Sequence, residues 1–212
     1  MSQAIFLSHY LSLNAPLYGG QKNLINYKVT SSIQNGDTAN SGILSFPNHA
    51  GTHIDFPNHF DDKGKKIQDY KPDFWIFKNV GLIIDKIQNI EKHFISENKD
   101  IEFLIIKTGF GQFRGDDKYW KSQPIIPANL AGKIKSSFPK IRAIGFDMIS
   151  LTSKLDRDEG KKAHLQFLIE HDILVVEDMN LENLFTKPKN LIVSPLLFEN
   201  LDGSPCTIIA LI

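Results

Sequence analysis

The chain carries a single cysteine, Cys206, which excludes an internal disulfide and fits a reducing compartment. Neither sign of charge is in surplus, since Lys plus Arg and Asp plus Glu each number 24. Without a basic excess or an arginine-rich run, a nucleic-acid partner is not expected. A formal net charge of zero likewise supplies no long-range field to steer an ionic partner. Apolar runs are short, well below the roughly 18 residues that read as a spanning helix, so no membrane partner is expected. The N-terminus lacks a basic segment followed by an apolar one, so no secretory signal is expected. Together these absences predict a cytoplasmic protein. No G-x-S-x-G elbow is present, which argues against a serine hydrolase. Cys206 lies in an apolar run without a neighbouring base to activate its thiol.

The chain has ordinary globular material instead: 212 residues, 42% hydrophobic and 23% charged, enough for one domain spanning residues 1–212. Its most unusual stretch is NHAGTHIDFPNHF at 48–60, with three of the seven histidines, His49, His53 and His59, and Asp55 among them. All four sit at odd positions, so an extended segment points them to one face. A helix also brings His49 and His53 together, but Gly51, Thr52 and Ile54 are poor helix formers and Pro57 removes a helical hydrogen bond. His53 and Asp55, two apart, can converge on one ion. His49 joins them only if the chain turns, and Gly51 is the residue that permits it. Asp55 has a second oxygen for a second ion. His59, beyond Pro57, is better placed to give or take a proton than to serve as a fourth ligand. A lone histidine is usually structural, but clustered His and Asp donors suit Zn or Mn.

HAGTHIDFPNH carries every fixed position of H-x-G-T-H-x-D-x-P-x-H and so resembles the metal-dependent cyclase family, which includes bacterial kynurenine formamidase. Other stretches follow. VVEDMNLENL is similar to the family's V-V-E-G-L-x-L-x-x-L, with Asp178 in place of the glycine. FDMISL at 146–151 is similar to G-[IF]-D-x-x-S-[LI], and LSH with PLYGG is similar to the N-terminal strand and its P-x-[WY]-P-G loop. The resemblance implies a mixed α/β architecture with few helices, the swivelling β/β/α fold. It implies metal ligation by His49, His53, Asp55, His164 and Glu177, with one or two Zn ions, or Mn, per chain. Tyr18 takes the aromatic position beside a small-molecule substrate, and Asp147 and Ser150 are expected to orient ligands by hydrogen bonding or to shape a loop, with strand-end capping as their bland alternative. Lys107-Thr108-Gly109 is expected to line the pocket. The bland alternatives are a turn tyrosine at 18, a packed helix histidine at 164 and a solvent-facing glutamate at 177.

The implied chemistry is hydrolysis of an amide or cyclic amide. A divalent ion lowers the pKa of a bound water toward neutrality, and His59 passes a proton to the leaving amine. N-formylkynurenine leads among substrates, with isatin- or lactone-type rings as the alternative and a non-catalytic metal-binding protein as the runner-up of another class. The resemblance further implies a homo-oligomer, a dimer or tetramer.

Elsewhere the pattern predicts strands at 4–11, 80–84, 101–107, 141–147 and 173–176, and a hairpin or two short strands over 26–46. A closing hairpin is expected around Asp202-Gly203. Helices are expected at 87–97, from Pro127 to Phe138, and from Asp158 to Glu170. His9 is expected to be structural.

Overall fold

Four apolar runs carry almost no polar residue because helices and turns cover both of their faces, as parallel strands require. They are β6 (Val80–Ile84), β7 (Phe103–Lys107), β8 (Ala143–Phe146) and β9 (Leu174–Glu177), paired in parallel in that order. The computed structural model describes residues 3–94 and 99–212. Antiparallel strands extend the sheet from β9: β4 (His53–Asp55), then β11 (Gly203–Leu211), β10 (Asn190–Pro195) and β5 (Ile76–Phe77), with β1 (Ala4–Phe6) also on β11. The ends of this path, β5 and β6, are separated in the chain only by Lys78 and Asn79, so the sheet curls back on itself. β2 (Asn26–Ser31) and β3 (Ser41–Ser45) form a separate two-stranded hairpin, largely exposed on both faces. The architecture is the mixed α/β one that the sequence pattern predicts.

α1 (Lys118–Lys121) is a short turn that the pattern did not announce. α2 (Leu130–Ser137) falls within the helix expected between Pro127 and Phe138, and buries Leu130, Ala131 and Ile134 on its inner side. α3 (Arg157–His164) starts where Asp156 accepts from the Glu159 amide at 2.9 Å, a side-chain N-cap. The helix then widens into a π-helical segment, Leu165–Glu170, that buries Phe167 and Leu168. Residues 87–97 are not the α-helix expected: Ile87–His93 is 3-10 helical, and 95–97 lie outside the described residues. The two residues it buries, Ile87 and Ile90, are three apart, the spacing at which 3-10 side chains align. The first strand is shorter than 4–11, because past Leu7 the chain makes only a single bridge, Ser8 to Met179. The C-terminal hairpin is present as β10 on β11.

Asp178, directly after β9, sits at φ 53°, the left-handed region where the family pattern has glycine. Three partners hold it there. Arg114 grips the buried carboxylate at 2.7 and 2.8 Å, and Tyr119 donates its hydroxyl at 2.6 Å. The Asp178 carbonyl accepts from Thr52. The loop carrying Arg114 is thereby tied to the strand end that carries Glu177. Asp178→Ala strands a largely buried guanidinium and keeps a strained backbone, and is expected to cost about 3–5 kcal/mol of stability in urea unfolding.

Candidate metal centre

β4 projects His53 and Asp55 to the same side, and Ile54 between them into the core. Gly51 makes the bend ahead of the strand at φ 65°, which brings His49 back over it. Pro57 opens a 3-10 turn, Pro57–His59, that folds His59 onto His49 with ring centroids 4.2 Å apart. Glu177 lies across from His53 in the antiparallel β4–β9 register. His164 ends α3 and is 2% exposed. That helix approaches closely because Gly160 leaves room for Thr152: a Cβ at Gly160 would stand 2.6 Å from the Thr152 Cα.

The four buried side chains form a ring of donor atoms. His53 Nε2 lies 3.6 Å from Asp55 Oδ1 and 3.2 Å from Glu177 Oε2. His164 Nε2 lies 3.6 Å from both Asp55 Oδ2 and Glu177 Oε1. Two donors held about 2.0–2.2 Å from one tetrahedral ion stand about 3.3–3.6 Å apart, so these spacings match a shared ion. The far nitrogens agree with this. His53 Nδ1 donates to the Gly51 carbonyl and His164 Nδ1 to the Gly160 carbonyl, each at 2.8 Å. Both rings therefore aim Nε2 at carboxylates, where a metal cation could take the place of a proton. Ser150 Oγ (3.2 Å) and the Leu151 amide donate to Glu177 Oε1, orienting that carboxylate. His49 Nδ1 meets Asp55 Oδ1 at 2.9 Å. The donors fall into two overlapping groups that share Asp55, namely His53, Asp55 and Glu177, and His49, Asp55 and His59.

Ser150 thus bonds the candidate ligand Glu177, whereas Asp147 shapes a loop. Its carboxylate accepts from Thr108 N and Oγ1 and from Gly109 N, at 2.6–2.9 Å, and fixes the loop after β7. Residues 107–109, expected to line the pocket, are not among those around the donor ring, and Lys107 donates to the Glu182 and Leu184 carbonyls. His9 lies outside the donor ring, half-buried, its backbone amide donating to Thr52 Oγ1 at 2.9 Å. Cys206 is buried and its thiol is held by burial well above the usual range. Tyr18 sits at the rim of a cavity of about 290 Å3 that holds all the donor residues, with Phe60 and Ile149 as apolar walls. Its 3-10 turn uses positive φ at both Gly19 and Gly20, and the Trp120 ring packs where a Cβ of Gly20 would be.

One residue escaped the sequence reading. Asp202, expected only as a turn, accepts from His59 Nδ1 at 2.8 Å and lies 3.3 Å from His49 Nε2. Nothing local marks it, because Asp-Gly is an ordinary turn signal.

With these positions known, the pattern of the Cyclase family matches residues 5–153. The chain belongs to the cyclase family. The kynurenine formamidase of Bacillus cereus is 31% identical over 209 residues, covering 96% of this chain and 95% of the relative. That of Bacillus mycoides is 32% identical over 184 residues, covering 84% and 83%. Among solved structures, isatin hydrolase A from Labrenzia aggregata, bound to benzyl benzoate, superposes with a TM-score of 0.82 at 18% identity, covering 100% of this chain and 94% of that one. The cyclase-family fold expected from the motif is therefore the one observed.

Burial alone would lower the His49 and His164 pKa values, but their carboxylate partners outweigh it. Asp202 and Asp55 push His49 up to about 10, and Asp55 and Glu177 push His164 up to about 9. In metal-free protein both imidazoles are then charged when folded and titrate near 6.5 when unfolded. The stability they contribute is complete below the unfolded value and is lost as pH rises through the folded ones. Chelator-treated protein is expected to melt at progressively lower temperature between about pH 6.5 and 10. A melting temperature constant across that window would mean that both rings are neutral in the fold.

Proposed function

We propose that this protein is a metal-dependent amide hydrolase of arylformamidase type, converting N-formylkynurenine to kynurenine and formate. The observation carrying the reading is the convergence of His53, His164, Asp55 and Glu177 in a chain 31% identical, over nearly its whole length, to a kynurenine formamidase. His49, His53, Asp55, His164 and Glu177 would hold one or two divalent ions, with Zn the first choice and Mn the second. Asp55 lies within reach of His49 on one side and of His53 and His164 on the other, which supports room for two ions. When bound, such an ion activates water for attack on a carbonyl and polarises that carbonyl.

The chain's own residues supply the rest. His59, a third exposed, stands at the cavity beside the donor ring, takes a proton from the attacking water and passes it to the leaving nitrogen as the carbon–nitrogen bond breaks. Tyr18, Phe60 and Ile149 accommodate a planar aromatic substrate and limit water. Opening of an isatin- or lactone-type ring would use the same groups, with the leaving atom kept in the product. A purely structural ion would have no use for a histidine held beside it at the cavity.

The substrate is a small molecule; neither nucleic acid nor membrane is a partner, and no described helix is long and apolar enough to cross a bilayer. The protein acts in the cytoplasm as a single domain and as a homo-oligomer, a dimer or tetramer. An isolated two-stranded hairpin is marginal in water, and β2–β3 presents Tyr27, Val29, Ile43 and Leu44 outward, which supports a second chain covering it.

Hydrolysis of N-formylkynurenine by protein of known metal content, with isatin and a simple lactone in parallel, tests the reading; full activity without metal would refute it. His59→Ala is expected to slow turnover about 10²–10⁴-fold with bound metal unchanged, and loss of metal would make it a ligand instead. Tyr18→Ala is expected to raise KM for an aromatic substrate more than it lowers kcat, since ring stacking adds about 0.5–1.5 kcal/mol. Equal losses on aliphatic substrates would reduce Tyr18 to a loop-shaping role. Light scattering is expected to give a mass of two or more chains, and a monomer would contradict the assembly.

A further inference from the structure

Asp202 stands behind the two histidines nearest the cavity mouth, and the fold fixes it from several directions. Its backbone carbonyl accepts from the Phe56 amide at 2.9 Å, and Gly203 beside it pairs with Asp55 in the β11–β4 register. The His49 ring lies so close to Gly203 that a Cβ there would come within 2.2 Å of it. Asn48 Nδ2 donates to Asp202 Oδ1, which leaves Oδ2 for the histidines. That one oxygen meets His59 Nδ1 at 2.8 Å and His49 Nε2 at 3.3 Å.

We propose that Asp202 is a positioning residue that sets the tautomers of both histidines. A neutral imidazole has one N–H and one lone pair, and a carboxylate neighbour claims the N–H. For His59 this places the proton on Nδ1 and leaves Nε2 to exchange a proton with the substrate, the role a buried aspartate plays behind a catalytic histidine in hydrolytic triads. For His49, an ion on the Asp55 side would take Nδ1, and Asp202 is the carboxylate left to hold the proton on Nε2. Asp202 is not among the residues lining the cavity, so it acts only through the two rings.

The inference rests on the hydrolase reading for its catalytic half, and the test separates the two. Two-bond proton–nitrogen correlation spectra of Zn-loaded wild-type protein are expected to show His59 as the Nδ1–H tautomer and His49 as Nε2–H. The opposite tautomer on His59 overturns the proposal, whatever substrate is used and whether or not any variant folds. In Asp202→Asn, whose amide can donate, His59 is expected to switch to Nε2–H. With it kcat on N-formylkynurenine falls about 10²–10⁴-fold while KM stays the same. The Zn2+ dissociation constant is expected to rise about 10–100-fold. Wild-type kcat and wild-type tautomers in the folded variant overturn the proposal. A wild-type protein that hydrolyses no amide or lactone, yet shows the expected tautomers, refutes the hydrolase reading and leaves Asp202 as the group that orients the rings.

Discussion

Asp55 and Glu177 are buried almost completely within reach of the same two histidines, and the rest of the molecule is arranged around their charge. Removing a carboxylate from water costs several kcal/mol unless partners replace the solvent. The fold supplies them in layers. Imidazoles face the inner oxygens, Ser150 and the Leu151 amide satisfy Glu177, and backbone carbonyls turn each histidine the right way round. The same need explains why a helix ends at His164 and why a glycine lies four residues before it: the ring must reach across to two acids, and only a bare backbone lets α3 come close enough.

What could be read from the chain follows from how local each signal is. His49, His53 and Asp55 were visible because a strand repeats every two residues, and the bend they require falls at Gly51. Glu177 and His164 were legible only through the family motif, since a charge at a strand end and a histidine in a helix are common in any protein. Asp202 was invisible, because its role arises from the pairing of β11 with β4, and no pattern along the chain encodes that register. The helix from Asp158 to Glu170 was found, but its π-helical second half was not, since Leu165, Phe167, Leu168 and Ile169 suit either period. Residues 87–93 misled for a related reason: a short amphipathic run does not distinguish three residues per turn from 3.6.

Asp178 shows how a departure from a family pattern is absorbed. Glycine would accept the left-handed backbone after β9 without strain. Here a carboxylate occupies the position, bound by Arg114 and Tyr119, and the loop that holds them also carries Trp120 against the Gly20 turn. The strand end bearing Glu177 and the turn bearing Tyr18 are therefore connected through packed side chains on a separate loop. A chain with glycine at that position lacks this carboxylate as an anchor for the guanidinium.

His53 and Glu177 meet only because β4 aligns against β9, and these strands lie far apart in the chain. The contiguous segment 49–59 presents only part of the donor set, so a nascent chain still emerging from the ribosome lacks the complete centre. Loop closure on this scale comes late and slowly, and completion of the donor ring by Glu177 and His164 must follow it. In the cell, then, acquisition of metal would mark the end of folding: the filled centre certifies that the distant halves of the sheet have found one another, and an empty one identifies a chain that has not finished.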